Sequence, residues 1–401
     1  MSATIHDAAS RGDAATVRRL LAAEPGLARQ RDAVNGWDPL THLCFAEGLR
    51  RDPARAAAYL DAARALLDVG ANANTGFMKG AVFETVLYGA AGIAHDAPLT
   101  ALLLAHGADP NDDEVTYHTP ETHDNAALRA LLASDRLTAD SLAAMLLRKC
   151  DWHDDEGVAL LLERGADPNR PTRWGYTALH QAIRRDNRIA IVARLLDDGA
   201  DPAIEAHGRS GMARAAWDGR ADVLRLFLER GSRLALRGAE QLIAACALDD
   251  ADLVRGFAHD PALVTAVLDR QAEVLGEFAG IGNTAGLAHL LNLGADIDAA
   301  SADDDGYWRL AAGSTALHVA AWRMRHDTVR FLIARGAPVD GRDAEGRTAL
   351  MLAVRACVDS HWQGARSPES VAALLAAGAS ADGVSLPTGY GAIDELLAAA
   401  R

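Results

Sequence analysis

One short motif recurs along the chain and restricts it to a repeat architecture. A pair of large apolar residues is followed, two or three residues later, by Gly-Ala or a close variant and a small polar residue. The glycines of the eight copies are Gly70, Gly107, Gly165, Gly199, Gly231, Gly294, Gly336 and Gly378. Two intervals, of 34 and 32 residues, lie in the low thirties, and the longer ones leave room for irregular units or insertions. A period of this size is typical of a solenoid rather than of separate globular domains.

Each part of the motif has a physical reason. The glycine is suited to the end of a helix, where φ must become positive. The leucine pair before it would form the buried stripe of a second helix. After a polar turn, Thr-Ala-Leu begins the next helix at Thr177, Thr315 and Thr348, since threonine is a good N-cap residue. The repeating unit is therefore predicted to be a pair of short helices.

Residues 175–202 and 313–340 are similar to the consensus of the ankyrin-repeat family, and the resemblance covers nearly the whole chain. The chain has room for about twelve units, including irregular ones near 113–137 and 239–260. The resemblance implies an all-α solenoid of stacked helix pairs with projecting hairpin-like fingers and a concave groove. It also implies binding of other proteins, but the motif itself carries little information on function.

The resemblance predicts one continuous solenoid over residues 1–401. An N-terminal cap repeat would occupy 1–30, internal repeats 31–384 and a C-terminal cap helix 385–401. Four insertions lengthen the internal repeats, at 46–61, 75–84, 299–313 and 356–369.

The insertion at 299–313 is the best functional candidate of the four. It carries Tyr307, Trp308 and Arg309 among acidic residues. Insertions into repeat proteins map to loops and often shape binding faces. The alternative is neutral lengthening of a surface loop, which costs little entropy.

Composition argues against several classes of partner and site. The formal net charge is −15, which disfavours non-specific binding to nucleic acid or to an anionic membrane. The four cysteines are far apart and predict neither a zinc site nor a disulfide framework. The N-terminal segment has no apolar core of a signal peptide. We expect a cytoplasmic monomer without a cofactor.

One position of the repeat carries unusually large side chains. It follows a pair of small residues at the end of the first helix, and the resemblance places it in the concave groove. Tryptophan and arginine are residue types that anchor interfaces. The predicted binding residues, including neighbours of this position and one from an insertion, are Phe45, Arg184, Trp217, Asp218, Trp308, Trp322, Arg323 and Arg355. In this interpretation, replacing Trp217 and Trp322 by alanine abolishes partner capture and hardly changes unfolding; alternatively, the rings pack on the adjacent repeat.

A second candidate site lies where Pro120 falls within an expected first helix, so that this helix should be short or absent. Tyr117, His118, Glu121 and His123 would then lie in a loop. They are the candidate catalytic residues if the chain is an enzyme. A degraded repeat is the alternative interpretation.

Three His-Asp pairs occur at equivalent turns of successive units. Such a ladder offers metal ligands or proton carriers. Aspartate before a helix is also the expected N-cap, and the pairs are too far apart to share one ion, so we predict no metal site. The pairs are His95-Asp96, His123-Asp124 and His153-Asp154.

Three functional hypotheses remain open. The first is a non-enzymatic scaffold that recognises a protein or peptide, basic in character, through its concave groove. The second is an enzyme for a small molecule, with an acid–base site built by 116–125 and 299–313; a deep pocket there would favour it. The third is a secreted bacterial effector. The chain has no P-loop, dinucleotide-binding, hydrolase-elbow or zinc-protease motif.

Overall fold

The computed structural model describes residues 4–358 and 366–400. The chain divides into two compact units, Met1–Asp201 and Pro202–Arg401. Both units consist mostly of short α-helices joined by tight turns, which confirms the predicted all-α class. The single continuous domain stays a prediction.

The first unit is a succession of helix pairs. Its helices are α1 (Ile5–Ser10), α2 (Ala14–Ala23), α3 (Pro39–Cys44), α4 (Glu47–Arg51), α5 (Ala56–Asp68), α6 (Val86–Tyr88), α7 (Ala97–Ala105), α8 (Asp113–His118), α9 (Ala126–Ala133), α10 (Ala139–Asp151), α11 (Asp155–Glu163), α12 (Ala178–Arg184) and α13 (Ile189–Asp197). Short helical turns at Pro25–Arg29, Pro53–Arg55 and Gly89–Ile93 supplement them. First helices pack on first helices, as α10 does on α12, and second helices on second helices, as α11 does on α13.

The second unit is built in the same way. Its helices are α14 (Gly211–Trp217), α15 (Ala221–Glu229), α16 (Ala239–Leu248), α17 (Ala251–Phe257), α18 (Pro261–Leu268), α19 (Gln271–Ile281), α20 (Thr284–Asn292), α21 (Ala316–Trp322), α22 (His326–Ala334), α23 (Ala349–Val358), α24 (Glu369–Ala376) and α25 (Gly391–Ala400). Helix α21 packs between α19 and α23, and α22 packs between α20 and α24.

The repeated motif ends helices at its glycine and buries its large apolar residues, as its chemistry predicts. All eight glycines have positive φ, between 78° and 103°. The residue four positions before each glycine, Leu or Phe, is at most 1% exposed. Thr177 caps α12 by accepting a hydrogen bond from the amide of His180, and Thr315 forms a reciprocal capping box with His318. The helix ends and the buried stripe are therefore local consequences of the sequence.

Two of the hairpin-like fingers contain short antiparallel strands. The insertion at 75–84 forms a hairpin of β1 (Gly76–Lys79) and β2 (Val82–Thr85), in register from Gly76–Thr85 to Lys79–Val82. The second hairpin, β3 (Glu205–Ala206) with β4 (Arg209–Ser210), leads directly into α14.

The other insertions take different forms. Residues 46–61 supply α4 and the beginning of α5. Residues 299–313 form a loop closed by isolated bridges between Ala300 and Thr315 and between Asp305 and Leu310. The insertion predicted at 356–369 begins within α23, and its central residues 359–365 lie outside the described residues.

The unit containing Pro120 confirms one expectation and corrects another. Its first helix, α8, is short, as predicted, and begins after the N-cap Asp112. Tyr117 and His118 form the last turn of this helix, so placing them in a loop was wrong. Proline lies two residues beyond the helix end and limits the helix there instead of interrupting it. Glu121 and His123 do lie in the following turn.

Candidate functional site

The structure divides the eight predicted binding residues between the two units. Phe45 and Arg184 lie in the first unit and the other six in the second. Arg184, Trp217 and Trp322 are the last residues of their helices, and Phe45 is the C-cap of α3. Their position at the end of a first helix is therefore as predicted.

The expectation that the tryptophan rings of this set face solvent is wrong. Trp217 is 6% exposed and Trp322 only 2% exposed. Asp218, Trp308 and Arg323 are buried as well. Contacts within the protein hold these side chains in place. Their part in binding stays a prediction.

Trp322 is covered by the inserted loop. Its ring lies in a buried cluster with Trp308, Leu310, Leu352 and Ala356. The indole Nε1 donates a hydrogen bond of 2.5 Å to the backbone oxygen of Trp308. The buried indole N–H is thus satisfied, as a buried tryptophan requires. The insertion at 299–313 supplies the partner that a bare repeat lacks.

Trp217 is covered by arginines. The guanidinium carbons of Arg209 and Arg270 lie 5.3 Å and 4.6 Å from the centroid of its ring, within the range of cation–π attraction. The neighbouring Asp218 forms a 2.7 Å ion pair with Arg214 of the same helix. Asp218 therefore holds an internal cation in place.

A cavity of about 700 Å³ lies beside these residues, and we refer to it as the acidic cavity. Helix α19, the inserted loop and α21 enclose it. Its walls are Asp269, Arg270, Gln271, Ala272, Glu273, Gly276, Glu277, Asp296, Ala299, Ala300, Ser301, Ala302, Asp303, Asp305, Trp308, Leu310, Ser314, Val319 and Arg323. Two predicted binding residues, Trp308 and Arg323, therefore line one cavity.

The lining of the acidic cavity is strongly unbalanced in charge. Six carboxyl groups and two guanidinium groups line it. Arg270 is paired with Glu273, with Nε 2.9 Å from a carboxylate oxygen. Asp269 and Asp303 are exposed carboxylates at its edge. The field inside the cavity therefore favours a cation, because low-dielectric walls strengthen the effect of charges of one sign.

The floor of the cavity carries a stacked arginine. The guanidinium carbon of Arg323 lies 3.9 Å from the centroid of the Trp308 ring, although Arg323 is buried. Gly280 of α19 makes room for it, because a Cβ at position 280 would collide with the guanidinium and lie 3.0 Å from Cδ of Arg323. Gly280 occupies the same position of the repeat as Trp217 and Trp322, and its lack of a side chain leaves space for Arg323.

Glu277 has an unusual electrostatic environment. Burial and the charge of Asp218 raise its pKa well above the ordinary value, while Arg214 and Arg323 oppose the shift. Its carboxylate lies 3.7 Å from Nη2 of Arg214. A cation bound nearby would favour the ionised form and expel a proton.

The inserted loop could be recognised in the sequence as a candidate site, whereas helix α19 opposite to it was not among the predicted site residues. Glu273 and Glu277 are four residues apart and therefore lie on one face of α19. Two carboxylates at this spacing, on a helix followed by an acidic insertion, are a signal that could have been used. Which surface they share with the insertion depends on packing between repeats.

The four candidate catalytic residues form a different arrangement in the first unit. Nδ1 of His118 lies 2.8 Å from Glu121 and its Nε2 lies 3.4 Å from Glu114. Although burial opposes it, the hydrogen bond to His118 and the charge of Arg148 lower the pKa of Glu121. Tyr117 stacks edge-on against His118, with ring centroids 4.8 Å apart.

His123 is separated from this group. Its ring lies against Trp152, with centroids 6.2 Å apart. In residues 4–358 and 366–400, no group of three or more His, Cys, Asp or Glu side chains is arranged to hold a metal ion.

Phe45 belongs to an aromatic cluster. Its ring centroid lies 4.9 Å from that of Phe77 in the inserted hairpin and 6.0 Å from that of Trp37. Phe45 is half-buried. The hairpin at 75–84 thus covers Phe45 in the first unit, just as the loop at 299–313 covers Trp322 in the second.

The His-Asp turns and the motif histidines have structural functions. Asp96 and Asp154 cap α7 and α11 by accepting backbone hydrogen bonds, as predicted. Nε2 of His318 lies 3.0 Å from the backbone oxygen of Gly341 and 3.2 Å from that of Arg347, which links neighbouring turns. These side chains stabilise the fold.

Among the helices that the structure describes, none combines the length and the apolar character needed to cross a lipid bilayer.

The comparison with models of protein families identifies the repeat. A family model described as ankyrin repeats matches residues 141–238 and 275–382. Human SH3 and multiple ankyrin repeat domains protein 2 is 26% identical over 218 residues, which are 52% of this chain and 11% of that protein. The ankyrin repeat domain of human ASB11 is 21% identical with a TM-score of 0.28, and the match covers 65% of this chain and 96% of that one. Since the family model matches more than half of its residues, the chain belongs to the ankyrin-repeat family.

Proposed function

We propose that the chain is a binding scaffold that recognises a basic segment of a protein or peptide at the acidic cavity. Ankyrin repeats generally serve as protein-interaction scaffolds, which supports the class of function. Use of the second unit, a basic partner, a cytoplasmic setting and a monomeric state are parts of the proposal. The observation that carries it is the excess of carboxylates in a cavity with an aromatic wall.

Arginine or lysine side chains of a partner suit this cavity. A volume of about 700 Å³ is within the usual range of ligand sites, roughly 300–1,000 Å³. Exposed carboxylates at Asp269 and Asp303 can attract a cation, and Trp308 contributes an apolar edge to the wall of the cavity. Electrostatic complementarity of this kind mainly sets the association rate and the choice of partner.

The enzyme alternative requires a pocket lined by the inserted loop 299–313 and by the candidate catalytic residues, and only the loop meets this requirement. The inserted loop 299–313 does line a cavity. None of the four candidate residues Tyr117, His118, Glu121 and His123 lines it, and they belong to the other unit. The scaffold is therefore the function that the geometry supports best.

Selection from a random peptide library tests the proposal. Peptides captured by the whole chain should be enriched in Arg and Lys next to apolar or aromatic residues. The variant Asp269→Asn/Asp303→Asn should weaken their binding by about tenfold or more, because two charges are removed where a cation would bind.

The matched control is Glu229→Gln/Asp382→Asn. These two exposed carboxylates are in the same unit and outside the cavity, and their removal changes the net charge equally. Selected peptides should bind this variant as they bind the unmodified chain. Selection without basic enrichment, or equal weakening in both variants, would contradict the proposal.

A further inference from the structure

A second pocket, in the first unit, has the opposite character. It encloses about 240 Å³ between α10, α12 and the turn before α12, and we refer to it as the arginine pocket. Its walls are Tyr117, Leu147, Arg148, Asp151, Trp174, Tyr176, Gln181, Arg184 and Arg185. Three guanidinium groups and three aromatic rings therefore surround one carboxylate.

The carboxylate of the arginine pocket is already enclosed by donors. Asp151 has a side chain only 6% exposed. It accepts hydrogen bonds from Arg148, from Gln181 and, at 2.9 Å, from Nε of Arg185. Arg148 is also bound to Glu121. Arg148 therefore links the carboxylates of Asp151 and Glu121.

Arg184 is held in a geometry suited to an anion. Its guanidinium carbon lies 4.2 Å from the centroid of the Tyr176 ring, and its Nη1 donates a 3.1 Å hydrogen bond to Oε1 of Gln181. A guanidinium stacked on a ring keeps its N–H donors at the edge, where their fork matches the oxygens of a carboxylate or phosphate. Gln181 links this group to Asp151 and fixes its orientation.

We propose that the arginine pocket binds an oxyanion, a carboxylate or phosphate group of a peptide, with Arg184 and Arg185 as donors and Tyr176 and Trp174 as walls. The internal Asp151 shows the kind of group that these side chains accept. This proposal is independent of the function proposed for the acidic cavity, because the two sites share no residue.

Fluorine NMR of the whole chain labelled with 5-fluorotryptophan tests the proposal. Trp174 is a wall of the arginine pocket, and its resonance can be assigned with Trp174→Phe. Inorganic phosphate and acetate are each titrated to about 50 mM at constant ionic strength, because a single-group ligand binds in the millimolar range. At least one of the two should produce a saturable shift of Trp174. The other six tryptophans should not follow the same titration curve.

The two anions distinguish the sources of the oxyanion. Tighter binding of phosphate indicates a phosphorylated side chain, whereas equal or tighter binding of acetate indicates an acidic side chain or a chain terminus. A saturable shift with neither anion overturns the proposal. The same shift with methylammonium overturns it as well, because a cation should not enter this pocket.

Variants locate the binding to Arg184. Arg184→Gln should weaken the anion affinity about tenfold or more, since it removes the charge-assisted donors. Arg188→Gln is the matched control, because that arginine is outside the pocket and its side chain is 71% exposed. If Arg184→Gln does not fold, Arg184→Lys tests the assignment instead. Lysine keeps the positive charge but lacks the paired N–H donors of a guanidinium, so this variant should bind the anion more weakly than the unmodified chain. Unchanged affinity in the folded variant refutes the assignment.

Discussion

For the residues at the end of each first helix, the sequence predicts the position in the repeat but not the exposure of the side chain. Their position in the repeat can be predicted, because the threonine cap and the glycine fix the limits of the helices. Their exposure cannot, because Trp322 is covered by Trp308 from an insertion and Trp217 by arginines from β4 and the turn before α19. These contacts join segments far apart in the sequence.

Trp322→Ala should therefore destabilise the protein. Removing a ring that is 2% exposed leaves a cavity and should lower the free energy of unfolding by about 3–5 kcal/mol. Trp152→Ala is the comparison, because that ring is 37% exposed and should cost much less. Chemical denaturation followed by circular dichroism measures both. Equal and small effects would restore the solvent-facing interpretation.

Glu277 should make stability depend on pH. Its raised pKa means that the folded chain keeps a proton that the unfolded chain releases above about pH 4.3. Stability contributed by this group is thus complete below that pH and is lost as the pH rises through the folded-state pKa. Melting temperatures across this range should fall less steeply with pH in Glu277→Gln than in the unmodified chain. Parallel curves would show that Glu277 ionises normally.

Among the elements, the regular helices were predictable and the insertions were not. The glycine and threonine signals act within one helix turn, so they give the boundaries of helices such as α12 and α21. The insertion at 75–84 forms a hairpin and that at 299–313 a loop that covers Trp322 and walls a cavity. The structure of an insertion depends on what the adjacent repeat presents to it.

Helix α19 and the stacked Arg323 give a test at this level. Alanine normally stabilises a helix relative to glycine by up to about 1 kcal/mol. Gly280→Ala should not show this gain, because its Cβ collides with the guanidinium of the buried Arg323, and a net loss of stability is expected. Gly256→Ala in α17 is the control, since its Cβ meets open space. A stability gain at both positions would mean that Arg323 is not confined.

The net charge of the whole molecule is negative, but its two described pockets differ in the sign of their charged side chains. Its net charge is −15, and the acidic cavity follows this excess. The arginine pocket departs from it locally. Overall composition can therefore predict a preference for basic partners, whereas a pocket of opposite sign becomes visible only when helices and turns bring arginines together.

Binding of a selected basic peptide should weaken with salt. Raising the ionic strength from about 0.1 M to about 1 M shortens the screening length from about 10 Å to about 3 Å. Fluorescence anisotropy should show the affinity falling over this range, and falling less in Asp269→Asn/Asp303→Asn, which has fewer charges at the cavity. An affinity that rises with salt would indicate apolar rather than electrostatic recognition.

A crystal structure of the whole chain with its tightest selected peptide tests the central claim most directly. An arginine or lysine side chain of the peptide should lie inside the acidic cavity, within hydrogen-bond or ion-pair distance of its carboxylates and in contact with the edge of Trp308. A peptide seated elsewhere, with no part of it in the cavity, would contradict the account.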